Sequence, residues 1–257
     1  MNKVLEVKDL CKTYVVNKRQ NHILHNVNFV LEEGEYVAVM GPSGSGKSTL
    51  LYSVSGMDSV TAGKVLFYGK EISSLSSNEL SDIRLNDMGF VFQQMHMLRN
   101  LSVYDNIILS AYNSKQGRGK EQREQINARA KQLMRELGII EVAENDITEV
   151  SGGQLQRACI CRAMINNPKV LFADEPTGAL NSKVSIEVME QFNRINQEGT
   201  TILLITHDAK VAARADKVLY IMDGNIQGEF VLGKYEGPEQ LKQRQNSLNN
   251  WLRDMGW

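Results

Sequence analysis

A glycine-rich segment at positions 41–48, Gly-Pro-Ser-Gly-Ser-Gly-Lys-Ser, lies between a run of five apolar residues and a predicted helix. The apolar run, Tyr36–Met40, has the length and composition of a strand that is buried on both faces. A buried strand, a loop with this glycine spacing and a helix, in that order, are typical of a loop that binds phosphate groups. The glycines let backbone N–H groups surround a phosphate, and the N-terminus of the helix adds partial positive charge.

The same loop carries two side chains that suit a nucleoside triphosphate with a magnesium ion. Lys47 is predicted to reach the β- and γ-phosphate oxygens, and Ser48 is predicted to bind Mg²⁺. We therefore predict that the segment binds ATP. The residues assigned to this contact are Gly41, Ser43, Gly44, Ser45, Gly46, Lys47, Ser48 and Thr49.

Two more apolar runs predict a parallel sheet. Residues 170–173 and Thr201–Ile205 are nearly continuous apolar stretches, as in strands that are buried on both faces. A helix is predicted between them, because one helical face carries Val184, Val188, Phe192 and Ile195. Since a helix that connects two parallel strands packs on their sheet, the pattern indicates an α/β fold with both sides of the sheet covered.

Shorter patterns predict additional β structure near the two ends of the chain. Residues 4–7 and 27–31 indicate short strands. Asp-Gly-Asn at 223–225 indicates a tight hairpin between strands at 218–222 and 226–232.

The middle of the chain, from about residue 98 to residue 167, is predicted to be helical. One amphipathic helix that can end at Gly138 is marked by Ile126, Ala130, Leu133, Met134 and Leu137. Another begins after Gly153 and continues to Ile165. Residues 117–120 are predicted to form an exposed loop within this helical region.

Composition argues against several classes of function. Lys and Arg number 29 against 30 Asp and Glu, so the net charge gives no reason to expect binding to nucleic acid or to an anionic membrane. No apolar stretch reaches the ~18 residues of a membrane span, and the first ten residues do not resemble a signal peptide. Cys159 and Cys161 are predicted to be buried structural thiols, and with Cys11 they suggest no disulfide framework. We expect a cytoplasmic protein that reaches a membrane only through a partner.

An acidic pair, Asp174 and Glu175, follows the predicted strand at 170–173. Ligands of open α/β sheets bind beyond the carboxyl ends of the strands, so Asp174 can complement the Mg²⁺ held by Ser48. Glu175 can instead polarise the water that attacks the γ-phosphate, as a general base or as a group that orients the water. Alone, such a pair could be a solvated turn, but together with the phosphate-binding loop it indicates ATP hydrolysis.

A second glycine motif, Val150-Ser151-Gly152-Gly153-Gln154, precedes Asp174 by about 23 residues. It resembles the signature motif of ATP-binding cassette (ABC) ATPases, and the chain is similar to that family over about residues 1–232. The resemblance implies a P-loop NTPase (RecA-like) core with an antiparallel β subdomain and an α-helical subdomain inserted at about 95–167. Residues 233–257 are then a C-terminal helical extension.

The resemblance also implies roles for residues outside the phosphate-binding loop. Tyr14 matches the aromatic residue that stacks on adenine, and His207 matches the switch histidine at the γ-phosphate. Gln93 matches the glutamine that senses the γ-phosphate, Mg²⁺ and a partner permease, so it is assigned both a catalytic and a metal-binding role. Asp174 and Glu175 match the Walker B aspartate, which binds the metal, and the catalytic glutamate.

The signature motif precedes a predicted helix and therefore offers a second anion-binding helix end with close backbone approach. In the family, this end binds the γ-phosphate that another subunit holds. Two copies are thus expected to face each other head to tail with two ATP molecules between them, and hydrolysis is expected to open the dimer. The residues assigned to this contact are Ser151, Gly152, Gly153 and Gln154.

Two positions depart from the family pattern. Val150 stands where the family usually has leucine, which is a conservative apolar change. Asn181 ends the D-loop segment Gly178-Ala179-Leu180-Asn181 and stands where the family usually has aspartate. Asparagine keeps an acceptor oxygen but lacks the negative charge, so the coupling between two ATP sites could differ from that of the family. Glu175 is intact, which argues against a chain that has lost hydrolysis.

Segments 88–94 and 172–180 look like one subgroup of ABC ATPases, which serves lipoprotein release, macrolide export, bacterial cell division and antimicrobial-peptide resistance. The resemblance implies a separate ATPase subunit that drives a permease at the cytoplasmic face of a bacterial membrane, with export or antimicrobial-peptide resistance favoured. Residues 95–98, Met-His-Met-Leu, would then line the groove for a coupling helix of the permease, or else form ordinary core of the helical subdomain.

Other interpretations stay open at this stage. A soluble ABC ATPase that acts on ribosomes or DNA is disfavoured by the single cassette and the balanced charge, and a P-loop kinase would have no use for the signature motif. The C-terminal helix either packs on its own domain or docks on a partner. Its apolar residues are Leu241, Leu248, Trp251, Leu252 and Met255.

Overall fold

The computed structural model describes residues 2–114, 117 and 119–257. Its strands are β1 (Lys3–Val16), β2 (Arg19–Glu32), β3 (Tyr36–Met40), β4 (Ala62–Phe67), β5 (Lys70–Glu71), β6 (Met88–Phe92), β7 (Val170–Asp174), β8 (Thr201–Ile205), β9 (Lys217–Met222) and β10 (Asn225–Val231). Its α-helices are α1 (Lys47–Val54), α2 (Ser77–Asp87), α3 (Val103–Asn113), α4 (Lys120–Glu136), α5 (Gly152–Met164), α6 (Ser182–Gln197), α7 (Ala209–Ala212) and α8 (Leu241–Asp254). Within the described chain, no helix combines the length and apolar character needed to cross a membrane.

The described residues divide into two compact units. The first comprises the residues up to Leu80 together with Ile195–Trp257, and the second is Ser81–Arg194. The predicted helix that crosses between two buried strands is present as α6, between β7 and β8. The domain boundaries that the family resemblance implies stay predictions.

In the first unit, β3 is the middle strand of a parallel arrangement. It pairs with β8 on one side and with β9 on the other, and Val39 lies opposite both Ile205 and Leu219. Every residue of β3 and β8 is buried, as their continuous apolar sequences predict. Because parallel strands end at the same edge of a sheet, the loop that begins at Gly41 and the segment that contains His207 leave this sheet side by side.

A second sheet of the first unit is antiparallel, in the order β2-β1-β4-β5. The prediction of short strands at 4–7 and 27–31 was wrong in length, because both segments lie within 14-residue strands. The register of β1 with β2 shifts near Asp9, and both Asp9 and Asn26 have left-handed φ values, of 48° and 49°. Such bulges interrupt the alternation of apolar and polar residues, so the sequence pattern stops there although the strand continues.

The second unit pairs β6 with β7 in parallel, with Phe92 opposite Asp174. Between these strands lie α3, α4 and α5, as the helical pattern of the sequence predicts. The buried residues of α4 are Ile126, Ala130, Leu133 and Met134. The helix ends just before Gly138, whose φ is +63°. The exposed loop predicted at 117–120 was wrong at two positions, because Gly117 is buried and Lys120 begins α4. Arg118 lies outside the described residues.

The two cysteines of α5 are buried thiols, as predicted. Cys159 and Cys161 are both fully buried and unbonded to each other. Burial raises the pKa of the Cys159 thiol to about 11. A thiol that stays neutral in an apolar setting packs as a small hydrophobic side chain and is a poor nucleophile.

Helix α8 packs its apolar face on its own unit, which is one of the two interpretations of the terminal pattern. The predicted hairpin of β9 and β10 is present, closed by a turn at 223–224 in which both residues have left-handed φ. The ring of Trp251 stacks on Phe230 of this hairpin with their centroids 5.2 Å apart. Leu248 and Leu252 are fully buried. The hydrophobic side of α8 is therefore covered within the first unit.

One charged residue, Arg244, attaches α8 to the segments beside it. Its side chain is only 8% exposed. The guanidinium group donates hydrogen bonds of 2.7–3.2 Å to the backbone carbonyl oxygens of Ala213, Ala215, Leu232, Gly233 and Lys234. All five carbonyls belong to the first unit, so a single side chain satisfies a cluster of backbone acceptors there.

Replacing Arg244 with methionine is expected to lower the free energy of unfolding by about 3 kcal/mol, because five carbonyl groups lose their donor at once. Urea unfolding followed by circular dichroism measures this quantity. The control is Lys242→Met on the exposed side of the same helix, which should change the free energy of unfolding by less than about 0.5 kcal/mol. Equal stability of the two variants would contradict the contacts assigned to Arg244.

Candidate nucleotide site

The phosphate-binding loop is a tight turn that needs glycine at several positions. Gly44 and Gly46 have φ values of +81° and +99°. A Cβ atom on Gly41 would collide with the carbonyl oxygen of Ile221 in β9, whereas a Cβ on Gly44 would meet no neighbouring atom. The loop is thus packed against β9 where it begins and open at Gly44, where backbone N–H groups can approach a phosphate.

Polar groups of the loop are positioned by the loop itself and by the neighbouring hairpin. The ammonium group of Lys47 donates hydrogen bonds of 2.8 Å to the carbonyl oxygens of Gly41 and Pro42. The carbonyl oxygen of Ser45 accepts a hydrogen bond of 3.1 Å from the N–H of Gly224 in the β9–β10 turn. The hydroxyl of Ser45 is buried and has no hydrogen-bond partner among the described residues. Unpaired buried hydroxyls are rare in native proteins.

Tyr14 of β1 lies beside the helix that follows the loop. Its hydroxyl donates a hydrogen bond of 2.6 Å to Oδ2 of Asp58 and also interacts with Thr49 in the first turn of α1. The ammonium group of Lys12 lies 4.7 Å from the centroid of the tyrosine ring. Burial and the hydrogen bond to Asp58 raise the pKa of Tyr14, so the hydroxyl stays protonated at neutral pH. The half-buried ring is therefore fixed next to the phosphate-binding loop.

His207 is exposed and follows the end of β8 by two residues. The N–H of Thr206 donates to the carbonyl oxygen of Val39 at 3.2 Å, and the hydroxyl of Thr206 accepts from the N–H of Asp208 at 3.0 Å. Asp208 in turn caps α7. His207 is thus held between a strand end and a capped helix, at the sheet edge where the phosphate-binding loop begins.

In the second unit, Gln93 and the Asp174-Glu175 pair lie together at one sheet edge. Phe92 and Asp174 are the last residues of β6 and β7, and they lie opposite each other. The residues that follow them, Gln93 and Glu175, therefore leave the sheet side by side. Glu175 has a left-handed φ of 47°, which is strained for a residue other than glycine and turns the chain sharply after β7. A Cβ on Gly178 would lie 2.9 Å from Nε2 of Gln93, so this glycine lets the amide approach the turn that follows Glu175.

The signature motif forms the start of α5 with a capping box. The hydroxyl of Ser151 accepts from the N–H of Gln154 at 3.3 Å, and the side chain of Gln154 accepts from the N–H of Ser151 at 2.9 Å. A Cβ on the buried Gly153 would lie 2.6 Å from a methyl group of Val184, whereas a Cβ on the exposed Gly152 would make only an ordinary contact of 3.7 Å. Gly153 is therefore needed for packing inside the unit, and Gly152 is not.

The loop at 95–98 is held by two helices and is not part of the buried core. Leu98 is 48% exposed, and His96 has a left-handed φ of 47°. Arg162 of α5 donates hydrogen bonds of 2.7 and 2.9 Å to two consecutive backbone carbonyls of this loop. Asn106 of α3 binds both the N–H and the carbonyl oxygen of Leu98, at 2.7 and 3.1 Å. The loop therefore has a fixed shape while apolar side chains stay accessible on it.

The residues predicted to hold ATP and Mg²⁺ have the chemistry that these ligands require. The hydroxyl of Ser48, the carboxylate of Asp174 and the amide oxygen of Gln93 are hard oxygen ligands of the kind that Mg²⁺ prefers. Asp174 is 8% exposed, so its carboxylate is largely withdrawn from solvent. The glycine-rich backbone and Lys47 supply the positive charge that phosphates need. The role of each residue stays a prediction.

The sequence analysis did not identify four residues that hold the functional segments in place: Lys12 and Asp58 beside Tyr14, and Asn106 and Arg162 at the loop 95–98. The spacing of Lys12 and Tyr14 could have placed both on one face of β1, since alternate residues of a strand share a face. The hydrogen bond between Tyr14 and Asp58 joins residues that are 44 positions apart in the sequence. The hydrogen bonds from Arg162 to the loop at 95–98 join residues that are 66 and 67 positions apart. Local patterns do not reveal contacts of that range.

The fold and the glycine-rich motifs agree with a known family. The sequence model described as "ABC transporter" matches residues 24–178, which is more than half of the chain. This chain belongs to the ABC transporter family. A curated relative in Bacillus subtilis (strain 168), the uncharacterized ABC transporter ATP-binding protein YknY, is 40% identical over 223 residues, which cover 87% of this chain and 95% of YknY.

A second set of ABC relatives is longer than this chain. The macrolide export ATP-binding/permease protein MacB of Mannheimia succiniciproducens is 39% identical over 87% of this chain but only 34% of its own length. The chain thus spans about a third of MacB. Among solved structures, the dimeric bacterial ABC transporter cassette MJ0796 matches with a TM-score of 0.83 and 36% identity, over 90% of this chain and all of that one. A post-hydrolysis dimer of MJ0796 with ADP and Pi matches with a TM-score of 0.80, 34% identity and the same coverage.

These matches establish what kind of enzyme the chain is. It has the P-loop NTPase fold of ABC cassettes, and it is an ABC-type ATPase that binds ATP and hydrolyses it to ADP and phosphate. It is the ATPase of a transporter and is related to the MacB export ATPases.

Proposed function

We propose that this chain is the energy-coupling subunit of a bacterial membrane complex in which ATP closes two copies head to tail and thereby moves a partner permease. The observation that carries the proposal is the exposed, capped helix end at Ser151 and Gly152, because helix N-termini attract anions and this one is separate from the one at Lys47. The dimeric structures of MJ0796 support a two-chain arrangement for a cassette of this length and fold.

Within one copy, the first unit binds the nucleotide. The phosphate-binding loop and Lys47 surround the phosphates, Tyr14 stacks on the adenine, and His207 contacts the γ-phosphate. These assignments are supported by the common sheet edge of Gly41 and His207 and by the contact between Tyr14 and Thr49. The exposed Gly152 of a second copy completes the site, because its helix end contributes N–H groups to the γ-phosphate.

Hydrolysis transfers the γ-phosphoryl group to water. Glu175 orients the water and accepts its proton as the water oxygen bonds to the γ-phosphorus, and the bond to the bridging oxygen of ADP breaks. Ser48, Asp174 and Gln93 would hold Mg²⁺, and this ion would neutralise negative charge on the phosphate oxygens. Loss of the γ-phosphate removes the group that joins the two copies, and the dimer opens.

Removal of divalent cations is expected to abolish ATP turnover. Excess EDTA should lower the steady-state rate by at least about 100-fold, because the phosphate charges lose their compensation. Added Mg²⁺ should restore the full rate. Added Ca²⁺ should restore a lower rate, because Ca²⁺ prefers more oxygen ligands than the few that the site is predicted to offer. Phosphate release measured with a coupled assay gives the rates. Turnover that persists in EDTA would contradict the metal role of Ser48, Asp174 and Gln93.

The loop at 95–98 is the proposed docking surface for the permease. Its backbone is fixed by Arg162 and Asn106, and its Met and Leu side chains are exposed or half-buried. Flexible apolar side chains on a fixed backbone suit a groove that accepts an amphipathic helix. Arg162 lies on α5, whose first turn is the signature motif, so the same helix contacts both the ATP-dependent interface and this loop. Export is the proposed direction, because the related MacB proteins are named macrolide exporters.

Site-specific photo-crosslinking tests the membrane partner. A photoreactive phenylalanine analogue replaces Leu98 in one variant and Val231, which is 70% exposed on β10, in the control variant. We expect a crosslink from position 98 to an integral membrane protein in membranes of the source cells, and none from position 231. The protein should therefore fractionate with the membrane through that partner.

Two outcomes would contradict this proposal. One is equal crosslinking from positions 98 and 231, which would indicate that neither surface docks specifically. The other is co-purification with ribosomes or DNA that high salt abolishes, which would favour a soluble ABC ATPase that acts on nucleic acid.

A further inference from the structure

Lys12 is a buried cation next to the residue proposed to stack on adenine. It is 5% exposed, and its ammonium group pairs with Oδ1 of Asp58 at 2.7 Å and donates to the carbonyl oxygen of Ser59. The other lysines of β1 that form ion pairs, Lys3 and Lys8, keep more than half of their side-chain surface exposed. Burying an ammonium group is unfavourable unless partners compensate for lost hydration, so Lys12 occupies an unusual place for a strand lysine.

Asp58 connects Lys12 to Tyr14. One carboxylate oxygen accepts from the ammonium group and the other accepts from the tyrosine hydroxyl at 2.6 Å. Burial opposes ionisation of Asp58, but hydrogen bonds from Lys12 and Tyr14 outweigh that effect and lower the pKa of its carboxyl group. Asp58 is therefore charged at neutral pH and forms hydrogen bonds with both residues at once.

The tyrosine ring is restrained at two places. The bond to Asp58 fixes its hydroxyl end, and the ammonium group of Lys12 covers one face, 4.7 Å from the ring centroid. A cation over an aromatic face is attracted by the negative charge density of that face. Thr49 connects the hydroxyl end to the helix after the phosphate-binding loop. With one face covered, the opposite face is the one on which a planar base can stack.

We infer that Lys12 is a positioning residue for the nucleobase of ATP, because it covers one face of Tyr14 and holds the ring so that the opposite face stacks on adenine. The inference rests on the proposed function of Tyr14 as the adenine-stacking residue. A ring that is fixed before the nucleotide arrives loses little conformational freedom on stacking, so the affinity for the base is higher than with a mobile ring. Lys12 itself is assigned no contact with the phosphates or with the reacting water.

Lys12→Met removes the ammonium group and keeps an unbranched side chain of similar length. We expect its affinity for ATP to fall about five-fold, because a ring that is mobile before binding must be ordered when the base stacks on it. Its affinity for inorganic tripolyphosphate, which has no base, should stay unchanged. In steady state, the KM for ATP should rise by the same factor while kcat stays within about two-fold. Isothermal titration calorimetry with the two ligands gives the affinities.

Three further variants serve as controls. Lys8→Met changes an exposed lysine of the same strand and should leave both affinities unchanged. Tyr14→Phe keeps the ring but loses the bond to Asp58, and it should weaken ATP binding about two-fold. Tyr14→Ala removes the ring and should weaken ATP binding by at least about five-fold, again with no effect on tripolyphosphate.

The outcomes separate the inference from the function on which it rests. Unchanged ATP affinity in Tyr14→Ala would overturn the proposed stacking residue itself. A clear loss in Tyr14→Ala with no loss in Lys12→Met would overturn the role of Lys12 alone. Equal weakening of ATP and tripolyphosphate in Lys12→Met would show that the lysine supports the fold of the loop instead. Should Lys12→Met fail to fold, Lys12→Met with Asp58→Asn removes both charges together, keeps an acceptor for the hydroxyl of Tyr14 and carries the same expectations.

Discussion

Glu175→Gln is expected to lower the rate of ATP hydrolysis by ~10²- to 10⁴-fold, the contribution of a general base, while ATP binding stays at the parent level. Glutamine keeps the size and shape of the side chain, so the left-handed backbone at this position and the turn to Gly178 should be preserved. The amide cannot accept the proton of the attacking water. Single-turnover hydrolysis of ATP and calorimetric ATP binding measure the two quantities separately.

The matched control for this variant is Glu136→Gln, which neutralises an exposed carboxylate on α4 of the same unit. It should hydrolyse ATP at the parent rate. Turnover of Glu175→Gln within about three-fold of the parent would contradict the role assigned to Glu175. A loss of ATP binding that accompanies the loss of turnover would instead assign Glu175 to nucleotide binding.

Gly152→Asp is expected to abolish hydrolysis without weakening the fold or the binding of ATP to a single chain. A Cβ at position 152 makes only an ordinary contact, and a carboxylate at the start of α5 is favourable for the helix itself. In a closed dimer the same carboxylate would face the γ-phosphate of the other copy. Two unit charges 4 Å apart at an effective dielectric constant of 20 repel by about 4 kcal/mol, which corresponds to about 10³-fold in the closure equilibrium.

Gly152→Asn is the uncharged control for Gly152→Asp, because the two side chains have the same shape. It should retain at least ten times more turnover than the aspartate variant if charge repulsion is the cause. Thermal unfolding should show that both variants are as stable as the parent. Parent-level hydrolysis by Gly152→Asp would contradict the contact of this helix end with a γ-phosphate.

The parts of the site that follow from local pattern were predictable from the sequence. The phosphate-binding loop, the buried strands β3, β7 and β8 and the helix after Gly153 each have a signal within about fifteen residues. The capped start of α5 follows from Ser151 and Gln154 in the same way, since the two residues of a capping box are three apart.

Other elements had no local signal, for identifiable reasons. Helix α2 buries none of its residues, so it has no apolar face to mark its period. The bulges at Asp9 and Asn26 concealed the full length of β1 and β2. The fixation of Tyr14 by Asp58 depends on tertiary structure, because the two residues are 44 apart in the chain. The different packing of Gly152 and Gly153 likewise depends on α6 and Val184, which the signature motif does not contain.

The central claim is that one chain holds only part of each working ATP site. Analytical ultracentrifugation of Glu175→Gln with saturating ATP and Mg²⁺ tests it directly. We expect twice the mass of one chain with ATP and the mass of one chain with ADP. The double variant Glu175→Gln, Gly152→Asp should have the mass of one chain even with ATP. A Glu175→Gln protein that binds ATP yet stays at the mass of one chain would contradict the claim.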